Sequence, residues 1–180
     1  MDLEKLRYPT GKFNFPDQLT PTDRLGNIAS IEEFPSLIYG VLTDLTAEQR
    51  QWKYRPDGWT IQQVVHHCAD SHMNAMTRFK WALTEDNPTI KAYNEGAWAE
   101  LADTTKTDMG VSLDLIDSLH KRWSILLNNL EDKDWEKTFY HPGMNRTIRL
   151  DQNLALYGWH CRHHLAHVEQ AIKHEGVFEK

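Results

Sequence analysis

The apolar positions of this 180-residue chain fall into four stretches of helical period, separated by longer irregular segments. In the first, Ile31, Phe34, Leu37, Ile38, Val41 and Leu42 recur at spacings of three and four, which is one buried face of an amphipathic helix. Pro35 sits early in that run and either bends the helix or marks its start. The second run opens after the loop "RPDGW", where Thr60 and Gln63 form a capping-box pair, and extends to about Leu83. A third follows Ser112, with Leu115, Leu119, Trp123, Leu126, Leu127 and Leu130 as its stripe. Asp151 is placed to cap a fourth, which ends before Gly176.

The segments between these runs differ in kind. Residues 1–28 hold Pro9, Pro16 and Pro21 with little periodicity, and predict an extended arm lying over the rest of the protein. Residues 85–110 predict a loop with one short helix near Trp98, long enough to be a covering or functional segment. "TFYHPGMNRTIRL" alternates around a Pro-Gly turn and predicts a small hairpin or an ordered loop. The expected fold is all-α: an antiparallel four-helix bundle over about residues 30–175, within one domain of residues 1–180. In such bundles, ligands and metals are held by side chains on facing helices.

Composition narrows the picture. With 40% hydrophobic residues and seven tryptophans, the chain has the makings of a packed core and not of a disordered tail. Its formal charge of −6, with no basic run, offers no footprint for a nucleic-acid backbone. "MDLEKLRYPTGKF" lacks the apolar core of a signal peptide, and no stretch reaches the ~18 apolar residues of a membrane span, so a cytoplasmic protein without a membrane partner is expected. Cys68 and Cys161 form no CxxC pair and read as reduced thiols.

Histidine changes the picture most. "YGWHCRHHLAHVEQ" carries His160, His163, His164 and His167 within one predicted helix. At about 100° per residue, the apolar face of that helix centres about 100° from His160; His164 lies at about 40°, His167 at about −20° and His163 at about −60°. His160 and His164 therefore border the buried face, at the i, i+4 spacing that stacks two imidazoles on one side, and His163 turns furthest towards water. On the second helix His67 borders the apolar face in the same way, His66 turns to solvent, and His72 falls within the core as a hydrogen-bonded residue or a neighbour of the pocket. The hypothesis is a three-histidine metal site of His67, His160 and His164. For His66, His163, His167 and His174 the reading is an ordinary polar residue.

With these residues in view, the chain resembles the YfiT-like group of the DinB-like superfamily. The matching stretches are "RYPTGKF", "DGWTIQQVVHHCADSHMNAMTRFKWALTE", "KAYNEGAWAEL", "LHKRW", "FYHP" and "YGWHCRHHLAHV", in order across nearly the whole chain. The resemblance implies a four-helix bundle with one divalent ion, zinc or nickel, held by the second histidine of the "HH" pair and by two from the last helix. On this sequence these are His67, His160 and His164, the same three that the helical wheels select. Members are described as metal-dependent hydrolases, some resemble thiol S-transferases using bacillithiol or related thiols, and homodimers are known. Cys68 and Cys161, each beside a proposed ligand, depart from the group's pattern; both turn into the core and read as packing.

Three neutral imidazoles leave an ion its full charge and an open position, the arrangement of a catalytic and not a structural site. Water activated there gives hydrolysis of a small-molecule substrate; a low-molecular-weight thiol held there as thiolate gives S-transfer; an ion that does neither gives a metal or ligand carrier. His-Glu-x-x-His is absent, because Cys161 and Arg162 follow His160, so any proton shuttle must come from elsewhere. Asp70, one turn after His67, is placed to reach that ring's second nitrogen. His141, on the loop before the last helix, is placed to act as acid or substrate contact. Arg146 and Arg149 read as solvated hairpin charges.

Overall fold

A computed structural model describes residues 2–178; the remaining positions of the predicted domain, 1, 179 and 180, lie outside the described residues. Four long helices form the bundle: α2 (Pro21–Leu42), α3 (Ile61–Thr84), α6 (Met109–Asn128) and α7 (Leu150–Lys173). Short helices α1 (Leu3–Arg7), α4 (Glu95–Trp98) and α5 (Ala102–Thr105) and a hairpin of β1 (Thr138–His141) and β2 (Arg146–Arg149) complete it. Helix α2 packs on α6 and α7, and α3 packs on the same pair, so α2 and α3 face each other across the diagonal. Phe34 and His72 meet edge to face over that diagonal, with ring centroids 5.2 Å apart. Around them Ile31, Ile38, Val64, Phe79, Trp123, Leu154 and Val168 are fully enclosed. Truncating a ring such as Phe34 or Trp123 there costs about 3–5 kcal/mol.

The helix ends follow local chemistry. Thr60 accepts from the Gln63 amide at 3.1 Å and Gln63 returns the bond at 3.0 Å, the capping box expected for α3. A second box, Thr20 with Asp23, starts α2 at Pro21, well before the predicted start. Proline suits the first helical turn because the amide it lacks has no helical partner there, so Pro21 opens the helix and is not part of the arm. The arm is therefore shorter than predicted and begins with a helical turn. Helix α6 starts at Met109 with Asp108 as its cap, so Ser112 lies inside it. Asp151 is not a cap: β2 runs straight into α7, Arg149 holds the cap position, and the buried Asp151 carboxylate accepts from Arg149 Nε at 3.0 Å and from the Leu19 amide at 3.1 Å.

That last bond begins a ladder. The Gln152 amide donates to Pro16 O, Trp159 Nε1 to Gly11 O, His167 Nε2 to Arg7 O and the Gln170 amide to Leu6 O. The arm thus runs along α7 in the opposite sense, tied at almost every turn, and covers the side of α7 turned away from the bundle. Gly158 serves the other side: a Cβ there would lie 2.1 Å from Asn27 Oδ1, so its bare backbone permits the close approach of α2. Among the described residues no helix is long and apolar enough to cross a membrane.

Candidate metal centre

Helices α3 and α7 bring His67, His160 and His164 together, with one ring nitrogen of each within 4.8 Å of the others. The Nε2 atoms of His67 and His160 stand 3.3 Å apart. Two nitrogens bound to zinc at about 2.0–2.1 Å in tetrahedral geometry are separated by about 3.3–3.4 Å, so the spacing suits such an ion. All three rings line a cavity of about 650 Å³ that also takes in Trp59, Ser71, Arg78, Tyr93, His141, Tyr157 and Trp159. Burial holds His67 down to about 4, with His163 adding to the effect, and pushes His160 and His164 well below the ordinary histidine value. The three are neutral at pH 7, the protonation state a metal ligand requires.

The hydrogen bonds behind these rings decide which nitrogen carries a proton. Pro35 has no amide hydrogen, so the Ile31 carbonyl, four residues earlier on α2, is left without its helical donor. His120 Nδ1 donates to that oxygen at 2.6 Å. A carbonyl can only accept, so Nδ1 holds the proton of this neutral ring and Nε2 accepts. His72 Nδ1 therefore donates to His120 Nε2 at 2.8 Å, and His160 Nδ1 donates to His72 Nε2 at 3.0 Å. The series ends with the His160 Nε2 lone pair facing His67. On the other side, His167 Nε2 donates to the Arg7 carbonyl at 3.1 Å, so its Nδ1 accepts from His164 Nδ1 at 3.3 Å and His164 is left with a free Nε2. A backbone carbonyl thus fixes the tautomer of His160 through two intervening rings and that of His164 through one, the orienting role that partners of metal-bound histidines commonly play.

A second group, Cys68, His72 and His160, also has the spacing of a metal site. Its chemistry is poorer. Both nitrogens of His72 are engaged in the relay, burial pushes the Cys68 thiol well above its ordinary value, and neither residue lines the cavity.

Sequence reasoning misjudged two histidines and missed a third. His163 was expected to face water, but it is 6% exposed, because the arm lays Thr10 and Tyr8 against it while Trp159 stacks on its ring at 4.2 Å. His66 was also expected in solvent and is 5% exposed; Ser112 donates to its Nδ1 at 2.7 Å, and its Nε2 donates to the Thr107 carbonyl. Both wheels were sound for an isolated bundle, and both failed because a segment distant in sequence covers the outer face. His72 is the hydrogen-bonded core residue expected. His120 was overlooked; its one signal was its place among the apolar positions of α6, with Pro35 marking the carbonyl it would meet.

The structure does not bring Asp70 to His67. The two form no hydrogen bond, and Asp70 is pushed up to about 6 by its own burial and by Asp103. His141 does reach the cavity. Its Nδ1 accepts from the Met144 amide at 3.2 Å, so Nε2 carries the proton of the neutral ring, and burial with the Arg78 charge lowers its pKa.

Comparison with known proteins identifies the family and the fold. The DinB superfamily profile matches residues 30–168. A protein of Oceanobacillus iheyensis named "Putative metal-dependent hydrolase" is 46% identical over 167 residues, 93% of this chain and 96% of the relative. One of the same description from Bacillus cereus is 49% identical over 171 residues, 95% of this chain and 98% of its own. The solved structure of YfiT from Bacillus subtilis, described as a probable metal-dependent hydrolase with an unusual four-helix bundle topology, superposes with a TM-score of 0.92 at 40% identity, covering 97% of this chain and 99% of YfiT.

Proposed function

The chain belongs to the DinB superfamily, and from that premise we propose that it is a divalent-metal-dependent hydrolase of a small-molecule substrate. The observation that carries the reading is the pair of relays, which hold the Nε2 lone pairs of His160 and His164 beside His67 at the wall of an open cavity. His67, His160 and His164 would hold zinc or nickel. When bound through three neutral imidazoles, such an ion supplies a Lewis acid with an open position, which activates water or polarises a carbonyl.

The chain's own groups supply the rest. Ser71 Oγ, 3.4 Å from His160 Nε2, and the Tyr157 hydroxyl bonded to Ser71 give the cavity wall a polar strip beside the three histidines. His141 presents Nε2–H to the cavity, where it donates a hydrogen bond to a substrate oxygen or a proton to a leaving group; with Nδ1 tied to Met144, it is an acid and not a base in its neutral form. Trp59, tilted over His67 with centroids 4.8 Å apart, shields that ring from water.

The test is turnover of activated esters and amides by zinc- or nickel-loaded protein, with and without an added low-molecular-weight thiol. Hydrolysis without thiol, lost in His160→Ala and reduced about 10²-fold in His141→Gln, is expected. Turnover only with thiol would replace the hydrolase reading by S-transfer, and metal binding without either would make the protein a carrier.

A further inference from the structure

Arg78 stands on α3 eleven residues after His67, on nearly the same face of the helix by the 3.6-residue period. It is 6% exposed and lines the cavity that holds the three histidines. Among the described residues it makes no hydrogen bond and joins none of the ion pairs. A guanidinium carries five N–H donors that cannot be switched off by deprotonation, and with no protein partner for them this side chain leaves its charge to whatever occupies the cavity. The charge is felt by Tyr93, Glu95, His141 and Tyr157, which places it where α7, the 92–95 segment and the hairpin meet. Glu95 is the one carboxylate in that set; it is exposed, and it forms no ion pair with Arg78. On the same wall the Tyr93 hydroxyl is buried without a hydrogen-bond partner.

The other cavity cations lie further out. Arg55 is half-buried; its Nη1 donates to the Pro56 carbonyl and its guanidinium lies over the Tyr54 ring, although its Nε has no partner, and the exposed Arg7 lies over Tyr8. Arg78 is the buried cation that the fold leaves open.

We propose that Arg78 is the anion-recognition residue of this cavity and that the substrate carries an oxyanion, carboxylate or phosphate, seated on its guanidinium while the reacting group faces His67, His160 and His164. The fork of a guanidinium matches the paired oxygens of either anion, and a charge-assisted bond of this kind is about twice as strong as a neutral one. The aromatic wall of Tyr93, Tyr157 and Trp159 suits an apolar or planar body between the two ends of such a substrate. The inference rests on reading the cavity as a substrate site, and it needs no particular reaction there.

Binding of phenylacetate, phenyl phosphate and the neutral phenylacetamide to the full-length protein tests it, by calorimetry or ligand-observed NMR, on metal-loaded protein and on protein stripped with chelator. At least one of the two anions should bind ten-fold or more tighter than the amide, with or without metal, and the tighter of the two identifies the group that Arg78 takes. Arg78→Gln should erase that preference and Arg78→Lys retain part of it, with unchanged zinc affinity and circular dichroism showing that the fold persists. Equal binding of all three probes to the wild type would overturn the proposal even if Arg78→Gln does not fold, and so would an anion preference surviving in a folded Arg78→Gln. Failure of the metal reading is seen separately, as no uptake of zinc or nickel by a protein that still prefers the anion.

Discussion

The two sides of α7 carry the same residue and use it differently. His160 and His164, on the bundle side, each have one nitrogen tied back through another ring and one left free beside His67. His163 and His167, on the outer side, are more buried still, yet they are stacked on Trp159 and Tyr54 and face the arm. Burial and residue type do not separate a candidate ligand from a structural histidine here. What separates them is whether a lone pair is left pointing at other lone pairs. His167 joins the two sets, since it spends both nitrogens on orienting His164 against the arm.

Replacing a ligand should break the comparison most visibly. His160→Ala is expected to weaken zinc or nickel binding by about 10³-fold or more, since it removes one of three bonds, whereas His163→Ala should leave affinity within about three-fold. Calorimetric titration checks both, and comparable loss in the two variants would erase the distinction between the faces. The relay comes next. His120→Leu and His72→Phe should each lower metal affinity about 10- to 100-fold without touching a ligand, and the double variant should cost little more than either alone, because both cut one series.

Acid sharpens the comparison in another way. His120 and His163 are held at about 4 and His167 at about 3, mainly by burial, against an ordinary value of 6.5. A histidine depressed in the fold takes up its proton first in the unfolded chain. Its contribution to stability is therefore complete above pH 6.5 and is lost as pH falls from 6.5 towards 4. Each such group contributes a slope of about 1.4 kcal/mol per pH unit in that window, and Asp70, raised from 3.8 to about 6, opposes it by one group from pH 6 downwards. Urea midpoints of metal-free protein should fall steeply below pH 6.5, and outer histidines titrating near 6.5 by NMR would show them exposed.

The smallest effect expected is at Pro35. Pro35→Ala restores an amide that competes with His120 for the Ile31 carbonyl, so metal affinity should drop only a few-fold while helix α2 gains a bond. Unchanged affinity would mean that His120 keeps its tautomer without that proline.

Much of the bundle was legible in the sequence because helical period and the Thr60–Gln63 box are local signals, and His67, His160 and His164 stood out because helix geometry alone aligns them. The start of α2 was lost because Pro21 reads equally as a breaker and as a first-turn residue. The burial of His66 and His163 could not be read from a wheel, since the segments covering them come from about 40 and 150 residues away along the chain. Arg78 gave no signal either: an arginine one turn from Asn74 on a half-polar helix looks solvated until the 92–95 segment and the hairpin close over it.

Anomalous diffraction at the zinc and nickel edges, from crystals grown with each metal, tests the central claim most directly. One peak per chain within bonding distance of His67, His160 and His164 is the predicted result. A peak on Cys68, His72 and His160 or on the outer histidines, or none at saturating metal, would contradict it.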